Sequence, residues 1–317
     1  MRALVTGCYG FIGSHLVKQL LCLPETIEVI GLARDSNQQN KLRLESIKNN
    51  SHFRVIHGDI QKTVDEACEG VDVIFHLAAK TFVDHSIRDM TPFVQDNVLG
   101  TIAVLEAAKL NKVSKVIVQS TDEVYGQILE GAYKEDARLN PRNPYSASKA
   151  AADMFALAYQ NTYGLNVCIA RIENVFGPYQ NPQKVIPNFV RRALLNEALP
   201  VYGDGMHVRQ WIHVDDNVAG LLVLMGAGFP GEIYHIAGNK ELTNLALARI
   251  ILKTLGKPED QIKFIEDHNI RPGHDRRYAL DSTKIRSMGW EPKWGLEEGL
   301  YRVIRWYQEK YSNREWY

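Results

Sequence analysis

Short apolar runs alternate with longer amphipathic segments through the first half of the chain. The runs have the length of buried strands and are bounded by glycine or polar residues. The segments between them, such as 14–21 and 91–110, carry apolar side chains at helical spacing. Strands that alternate with helices predict an α/β fold with a doubly wound parallel sheet. The predicted strands are residues 2–6, 27–32, 53–57, 71–77, 115–118 and 166–170.

A glycine-rich turn links the first predicted strand to the first predicted helix. Gly7, Gly10 and Gly13 are spaced three residues apart, and the helix follows directly. Such a turn lets the backbone approach a pyrophosphate, whose charge then lies at the N-terminus of a helix. At this position between a strand and a helix, the spacing predicts a dinucleotide-binding fold of the Rossmann type.

The pattern changes near residue 172, where glycine- and proline-rich loops and shorter elements begin. A strand-like run at 208–213 leads into a predicted helix at 214–225. No repeat, low-complexity tract or linker separates this region from the first, so we expect two interlocked domains. The predicted domains are a dinucleotide-binding domain at 1–171 and 212–238 and a smaller, interwoven C-terminal substrate domain at 172–211 and 239–317.

The end of the second predicted strand bears on the choice of dinucleotide. In NAD-binding folds an acidic residue there usually binds the ribose hydroxyls. Here the strand runs into Ala33, Arg34 and Asp35. Arg34 is suited to a 2′-phosphate and would favour NADP, whereas Asp35 in the ribose role would favour NAD, so both cofactors stay open. The turn at 58–60 is placed to meet the adenine, and the small residues 78–79 let a cofactor approach the backbone.

Composition narrows the classes of partner. The 317 residues carry 37 basic and 37 acidic side chains, so no net charge favours nucleic acid or an anionic membrane. The most apolar stretch, 218–229, is too short and too rich in glycine to span a bilayer. The cysteines are scattered, the histidines lack metal-ligand spacing, and the strand at 2–6 leaves no room for a signal peptide. We expect a cytoplasmic protein with no bound metal.

Two groups of reactive side chains lie in the middle of the chain. Thr121, Asp122 and Glu123 follow the fifth predicted strand, and the carboxyl ends of strands face the ligand crevice in such folds. Neighbouring carboxyls can hold different protonation states and so serve as an acid and a base. Tyr145 and Lys149 are four residues apart on one helix face, where we expect the cation to lower the pKa of the phenol. Together the two groups predict an acid–base site beside the dinucleotide.

These stretches together resemble the extended short-chain dehydrogenase/reductase superfamily and, within it, the nucleoside-diphosphate-sugar 4,6-dehydratases. The superfamily likeness rests on the glycine turn at 6–13, His-Leu-Ala-Ala at 76–79 and Tyr-Ser-Ala-Ser-Lys at 145–149. The dehydratase likeness rests on Ser-Thr-Asp-Glu-Val-Tyr-Gly at 120–126. It implies a homodimeric enzyme with tightly bound NAD or NADP. The implied substrate is dTDP-glucose or a related dTDP- or UDP-linked hexose, which is converted to a 4-keto-6-deoxy sugar.

The resemblance also implies roles for individual residues. Tyr145 would start an oxidation at C4 of the sugar with the help of Thr121 and Lys149, and Asp122 and Glu123 would be acid and base in the loss of water. The implied cofactor-binding residues are Gly7, Gly10, Phe11, Ile12, Gly13, Arg34, Asp59, Ile60, Leu77, Ala78, Ala79, Asn97, Tyr145 and Lys149. The implied substrate-binding residues are Ser86, Asn174, Lys184, Arg209, Asn244, Arg271 and His274.

Other activities on the same scaffold stay open. Glu173 and Val175 depart from the residues usual in the dTDP-glucose enzymes, which keeps a UDP-N-acetylglucosamine 4,6-dehydratase as the first alternative. A UDP-sugar 4-epimerase would need Tyr145, Lys149 and the cofactor but no pair of carboxyls. A non-catalytic NAD(P)-binding regulator is a further alternative, because this fold hosts many functions.

Overall fold

The protein is described here by a computed structural model that covers residues 1–35, 38–266 and 272–312. Its strands are Arg2–Thr6 (β1), Glu28–Ala33 (β2), Phe53–His57 (β3), Val73–His76 (β4), Lys115–Thr121 (β5), Val167–Ile172 (β6), Asn174–Phe176 (β7), Leu199–Tyr202 (β8), Val208–His213 (β9), Ile233–Ile236 (β10), Lys240–Thr243 (β11) and Ile262–Ile265 (β12).

Helices connect and cover these strands. The α-helices are Phe11–Leu20 (α1), Gln38–Lys41 (α2), Ile60–Ala67 (α3), Val83–Arg88 (α4), Thr91–Phe93 (α5), Gly100–Leu110 (α6), Pro144–Tyr163 (α7), Val185–Leu194 (α8), Val214–Ala227 (α9), Asn244–Leu255 (α10), Thr283–Arg286 (α11) and Leu296–Ser312 (α12). Short 3₁₀-helices span Leu42–Ile47, Asp122–Tyr125 and Glu259–Gln261, and a π-helical turn spans Val94–Leu99.

A seven-stranded parallel sheet forms the centre of the molecule. Its strand order is β10-β6-β5-β4-β1-β2-β3, and each neighbouring pair is parallel. The chain therefore winds outward in both directions from β1, which confirms the predicted doubly wound sheet of the Rossmann type. The order reverses between β1 and β4, and such a reversal opens a crevice at the carboxyl ends of the strands.

Alternate residues of the strands feed two apolar clusters on the two faces of the sheet. Val5 and Phe75 belong to one cluster, together with side chains of α1 and α9. Their neighbours Leu4 and Ile74 belong to the other, together with side chains of α3, α6 and α7. Because successive strand side chains point to opposite faces, a run that is apolar throughout is buried on both sides. This is why the short apolar runs of the sequence become central strands.

The second half of the chain builds smaller sheets with a cluster of their own. Strands β11, β9 and β7 form a three-stranded sheet, and β12 pairs with β8. Helices α8, α10 and α12 pack with them around a third apolar cluster. Strand β10 returns to the edge of the large sheet beside β6. The chain thus crosses between the two regions, while the exact domain boundaries stay a prediction.

The long helix predicted at 91–110 is helical throughout but not uniform. It consists of α5, the π-helical turn at Val94–Leu99 and α6. A π-turn inserts an extra residue in the helix and often lies at a functional site. Here it carries Asn97, which faces the loop after β4. Among the helices of the described residues, none is both long and apolar enough to cross a membrane.

Candidate active site

One large cavity lies at the carboxyl end of the seven-stranded sheet. It has a volume of about 800 Å³ and is walled by the turn after β1, the loop after β4 and the residues after β5 and β6. The structure brings together in this wall all the side chains that the sequence predicts to be reactive, although they come from two separate stretches of chain. They are Thr121, Asp122, Glu123, Tyr145 and Lys149.

The glycine turn after β1 is shaped so that only glycine fits. Gly7 has a φ of 72°, and a Cβ atom on it would lie 3.0 Å from Cα of Ala78. A Cβ atom on Gly13 would lie 2.3 Å from the carbonyl oxygen of Gly7. Helix α1 starts directly after this turn, and its N-cap residue Gly10 supplies no side-chain hydrogen bond. Free backbone N–H groups at a helix N-terminus suit a phosphate, so the turn fits the pyrophosphate of a dinucleotide.

The loop after β4 is held beside this turn by buried hydrogen bonds. The backbone N–H groups of Leu77 and Ala78 donate to Oγ1 of Thr6 at 3.1 and 3.2 Å, and this hydroxyl lies 2.9 Å from Nδ1 of His76. Burial lowers the pKa of His76 to about 3, so the ring is neutral. With Thr6 donating to Nδ1, the Nε2–H donates to Oγ1 of Thr101 at 3.0 Å. This role of Thr6 and His76 could not be predicted from the sequence, because their partners are distant in the chain.

Asn97 lies behind the same loop rather than in the cavity wall. Its side chain accepts a hydrogen bond from the backbone N–H of Lys80 at 2.8 Å and donates to the carbonyl oxygen of Lys80 at 3.1 Å. It also donates to Oγ of Ser148 on α7 at 2.9 Å. Asn97 thus ties the loop after β4 to the helix that carries Tyr145. It positions the site, and direct contact with a cofactor stays a prediction.

Arg34 lies in the cavity wall at the end of β2, as predicted, but it is already engaged. Its Nε donates to Asp59 at 3.1 Å and its Nη1 donates to Asp96 at 3.0 Å. Asp59 also caps α3 by accepting a hydrogen bond from the backbone N–H of Gln61 at 3.0 Å. Asp35 is exposed and paired with Lys41. Two carboxylates therefore surround the guanidinium of Arg34, which the sequence predicts as a possible partner of the 2′-phosphate of NADP.

The acid–base pair begins where β5 ends. Thr121 caps the short 3₁₀-helix Asp122–Tyr125 by accepting the backbone N–H of Glu123 at 3.3 Å, and its hydroxyl donates to Oδ1 of Asp122 at 3.0 Å. Asp122 is 3% exposed, and its Oδ2 has no hydrogen-bond partner among the residues that the structure describes. Burial, and then the charge of Glu123, raise the pKa of Asp122 to about 7. A carboxyl with this pKa is a proton donor near neutral pH.

Glu123 is more exposed than Asp122 and is held by a residue that the sequence analysis did not single out. Nδ2 of Asn143 donates to Oε2 of Glu123 at 3.1 Å. The Oδ1 of the same Asn143 caps α7 by accepting the backbone N–H of Ser146 at 2.9 Å, as part of a capping box. The start of the helix and the orientation of the carboxylate are therefore fixed by one side chain. The Asn-Pro pair before α7 was the available signal, since Asn is a preferred N-cap residue.

Tyr145 and Lys149 lie on the first turns of α7 and both line the cavity. The ammonium of Lys149 donates to the carbonyl oxygen of Gln119 at 2.8 Å. The expectation that Lys149 lowers the pKa of Tyr145 is wrong for this arrangement. Burial raises that pKa most and the charge of Glu123 raises it further, while a hydrogen bond with Thr121 opposes them. Spacing on the helix places the cation on the correct face but does not reveal the nearby carboxylates.

The comparisons with known proteins agree with this geometry. The sequence profile of the GDP-mannose 4,6 dehydratase family matches residues 4–303. The chain belongs to the GDP-mannose 4,6 dehydratase family.

Individual members of the family are similar over the full length. The chain is 44% identical over 309 residues to the low-salt glycan biosynthesis protein Agl12 of Haloferax volcanii, covering 97% of this chain and 98% of that protein. It is 43% identical over 324 residues to a dTDP-glucose 4,6-dehydratase of Streptomyces niveus, covering 100% and 95%. The crystal structure of DesIV, a dTDP-glucose 4,6-dehydratase of Streptomyces venezuelae with NAD bound, superposes with a TM-score of 0.95. It is 44% identical and covers 100% of this chain and 99% of that one.

Some of the residues that the sequence predicts to bind substrate in the present protein line the cavity, and others do not. Asn174 and Lys184 line the cavity, and the ammonium of Lys184 donates to the carbonyl oxygen of Thr81 at 2.9 Å. Ser86 is buried beside the cavity instead, where its Oγ accepts the backbone N–H of Tyr145 at 3.1 Å. Ser86 therefore helps to position Tyr145, and its contact with substrate stays a prediction.

Of the remaining predicted substrate residues, the three that the structure describes, Arg209, Asn244 and His274, lie outside the cavity wall. Arg209 donates to the carbonyl oxygens of Val208 and Asp275 at 2.7 and 3.0 Å, and its Nη2 lies 2.9 Å from Nε2 of His274. Asn244 is the first residue of α10. Arg271 falls outside the described residues. The roles of these four residues toward a substrate stay predictions.

Proposed function

We propose that this nucleoside-diphosphate-sugar 4,6-dehydratase converts dTDP-glucose, or a closely related sugar nucleotide, to its 4-keto-6-deoxy product. The observation that carries the proposal is the pair of carboxyls after β5. Asp122 is buried with a pKa raised to about 7, and Glu123 stands next to it in the same cavity as Tyr145 and Lys149. An oxidation site alone would serve a 4-epimerase, whereas a proton donor beside a base serves an elimination.

The cavity wall fits a nicotinamide dinucleotide. The glycine turn at 7–13 would hold the pyrophosphate, and the loop 77–79, which Thr6 fixes beside it, would lie against the rest of the cofactor. When bound, a nicotinamide would supply an acceptor for the hydride from the sugar and a means of returning it later. Because the reaction has no net redox change, we propose that the cofactor stays tightly bound.

We propose NAD rather than NADP. The guanidinium of Arg34 is hydrogen-bonded to Asp59 and Asp96, so it would have to leave both to bind a 2′-phosphate. A phosphate at that place would also stand beside two carboxylates, which repel it. A ribose with free hydroxyls meets no such repulsion. The crystal structure of DesIV, which contains bound NAD, is consistent with this choice.

Tyr145 acts first in the proposed reaction. Its phenolate oxygen removes the proton of the C4 hydroxyl, and Thr121, which shares a hydrogen bond with Tyr145, orients the C4 oxygen. Because burial raises the pKa of Tyr145, the phenolate needs more positive charge than Lys149, one helical turn later in the cavity wall, supplies in this arrangement. We propose that a bound oxidised nicotinamide, which is itself positively charged, would provide it. The C4 ketone that results acidifies the proton at C5.

Glu123 and Asp122 then remove water. Glu123, oriented by Asn143, takes the C5 proton at a carboxylate oxygen. Asp122 gives its proton from Oδ2 to the departing C6 hydroxyl, because Oδ1 is already held by Thr121. Burial keeps a proton on Asp122 at a pH where an ordinary aspartate has lost it. The two neighbouring carboxyls thus hold the opposite roles that an elimination requires. When the hydride is returned to C6, Glu123 gives a proton back to C5, which completes the 4-keto-6-deoxy product.

We also propose that the protein is a cytoplasmic homodimer. Apolar side chains of the π-helical turn Val94–Leu99 and of α7 remain between 38% and 55% exposed although they lie on packed helices. A two-fold axis would bury the same patch on both subunits. Light scattering that gives the mass of two chains supports this proposal, and the mass of one chain contradicts it. The exposed side chains are Val94, Leu99, Met154, Phe155 and Tyr163.

A screen of sugar nucleotides tests the proposed function. The purified protein is incubated separately with dTDP-glucose, UDP-glucose and UDP-N-acetylglucosamine, and the products are weighed by mass spectrometry. The proposal predicts loss of one water from dTDP-glucose. Loss of water only from UDP-N-acetylglucosamine would favour the first alternative, and an isomer of unchanged mass would favour a 4-epimerase. No change with any sugar nucleotide would contradict an enzymatic role on these substrates.

A further inference from the structure

A second buried acid lies in the cavity wall and has no part in the reaction described above. Glu173 follows β6 directly, lines the cavity and is only 4% exposed. Its Oε1 accepts the backbone N–H of Gly238 at 2.6 Å. A Cβ atom at position 238 would lie 3.0 Å from that oxygen and 2.3 Å from the carbonyl oxygen of Trp211, so glycine is what allows this close approach. The other oxygen, Oε2, is buried, and no described residue forms a hydrogen bond with it.

The surroundings of Glu173 favour its neutral form. Burial raises the pKa of Glu173 well above its usual range, and the charges of Asp122 and Glu241 raise it further. The hydrogen bond from Gly238 and the charge of Arg286 act in the opposite direction. Since the backbone N–H of Gly238 occupies Oε1 as an acceptor, the proton of the neutral acid belongs on Oε2. Glu173 therefore carries a buried O–H group that still lacks an acceptor.

Further polar atoms of the same cavity wall are buried and lack a hydrogen-bond partner among the described residues. They are Oγ of Ser120, Oδ2 of Asp122 and Nδ2 of Asn174. Buried polar groups are almost always hydrogen-bonded, so such a cluster indicates a polar ligand. The register of the sheet pairs Thr121 with Ile172, which brings the residues that follow them, Asp122 and Glu173, to adjacent strand ends.

The location of this cluster separates it from the pyrophosphate of the dinucleotide. Strand β6 lies three strands away from β1, which carries the glycine turn. Neighbouring strands are about 4.8 Å apart, so the cluster is about 14 Å from the pyrophosphate site. At the ends of β5 and β6 it lies instead beside the acid–base pair, where the reacting sugar has to bind.

We propose that Glu173 binds the hexose of the sugar nucleotide as a neutral hydrogen-bond donor, with its Oε2–H directed to an acceptor oxygen of the sugar. The inference rests on the proposed function, because it assumes that a sugar nucleotide occupies this cavity. It assigns to Glu173 a part in sugar recognition rather than in proton transfer. A donor that is buried and held in place by Gly238 loses little freedom when it binds a ligand.

Binding measurements on three variants test this proposal. Glu173→Gln keeps a carbonyl oxygen that accepts the backbone N–H of Gly238 and places an N–H donor at the position of Oε2. Glu173→Met keeps the length of the side chain but removes both the acceptor and the donor. Glu135→Met is the matched control, because Oε1 of Glu135 likewise accepts a backbone N–H, that of His235 at 3.2 Å, and Glu135 is not part of the cavity wall. All are made in a Tyr145→Phe background with NAD present, so that the sugar is not consumed. Calorimetry then measures the affinity for dTDP-glucose and for dTDP.

The expected pattern is a selective loss. Glu173→Met should weaken the binding of dTDP-glucose about tenfold, the usual effect of removing one buried hydrogen bond. The affinity for dTDP should stay unchanged. Glu173→Gln and Glu135→Met should stay within about threefold of the parent for both ligands. The inference would be overturned if Glu173→Met lost affinity equally for dTDP and dTDP-glucose, or lost none. It would also be overturned if Glu173→Gln bound dTDP-glucose as weakly as Glu173→Met. Failure of the parent to bind dTDP-glucose would overturn it as well. Since binding is measured without turnover, a lack of dehydration by the unmodified protein would contradict only the proposed function.

Discussion

Replacement of Asp122 by asparagine tests the division of labour between the two carboxyls. The substitution keeps the shape of the side chain. Its amide oxygen can still accept the hydroxyl of Thr121, which donates to Oδ1 of Asp122 at 3.0 Å. What disappears is the proton at Oδ2, the atom without a partner. Because the amide cannot act as an acid, loss of the C6 hydroxyl should be slowed while oxidation at C4 is retained.

The size of the effect follows from the protonation state of Asp122. With a pKa of about 7, about half of the carboxyl carries its proton at pH 7, so the parent enzyme has a working acid. A positioned general acid contributes about 10²–10⁴-fold, which is about 3–5 kcal/mol of transition-state stabilisation. Dehydration by Asp122→Asn should be slower by this factor. The parent should also lose dehydration rate as the pH rises above about 7, and the variant should lack this dependence.

Rapid mixing with dTDP-glucose gives two readouts in a single turnover. The near-ultraviolet absorbance of reduced nicotinamide reports C4 oxidation, and mass spectrometry of quenched samples reports loss of water. We expect the absorbance to rise in the variant and to persist, because the ketone that forms is not dehydrated. The absorbance change serves as the internal control for folding and cofactor binding. Dehydration at the parental rate, or loss of the absorbance change together with dehydration, would refute the assigned role of Asp122.

Further predictions concern the phenol, the glycine turn and the stability of the fold. Tyr145→Phe should slow C4 oxidation by about 10²–10⁴-fold, as measured by stopped-flow absorbance. Its affinity for NAD, measured by calorimetry, should stay unchanged. Gly13→Ala should weaken the binding of NAD by at least about tenfold, because the new Cβ would lie 2.3 Å from the carbonyl oxygen of Gly7. The control Gly226→Ala in α9 should bind NAD as the parent does, because nothing lies within 4 Å of its new Cβ. The raised pKa of Asp122, from 3.8 to about 7, means that the folded state retains a proton that the unfolded chain has lost. The contribution of Asp122 to the free energy of unfolding should therefore fall by about 4 kcal/mol as the pH rises from about 4 to about 7. Denaturation of parent and Asp122→Asn from pH 5 to pH 8 should show the variant gaining relative stability, and parallel curves would contradict the raised pKa.

The parts of the fold that could be predicted depend on local pattern. Apolar runs with the length of strands and the glycine spacing at 7–13 each encode one element, and the parallel sheet follows from their alternation. The position of Thr121, Asp122 and Glu123 at the ligand side of the sheet also follows, because they come at the carboxyl end of a strand. These inferences need no knowledge of which residues meet across the fold.

The parts that could not be predicted depend on partners distant in sequence. The pKa of Tyr145 is set by burial and by Glu123, which is 22 residues earlier (145 − 123), and not by the neighbour four residues later. Ser86 and Asn97 carry the polar groups expected of ligand-binding residues, yet they position Tyr145 and the loop after β4. Sequence alone does not reveal whether a polar side chain lies in the cavity wall or one layer behind it.

An isotope experiment tests the central claim most directly. The purified protein receives dTDP-glucose that carries deuterium at C4, and the product is analysed by mass spectrometry and NMR. Internal hydride transfer predicts a 4-keto-6-deoxy sugar, one water lighter, with the deuterium at C6 and a solvent hydrogen at C5. A product of unchanged mass with deuterium still at C4, or a dehydrated product without deuterium at C6, would contradict the account.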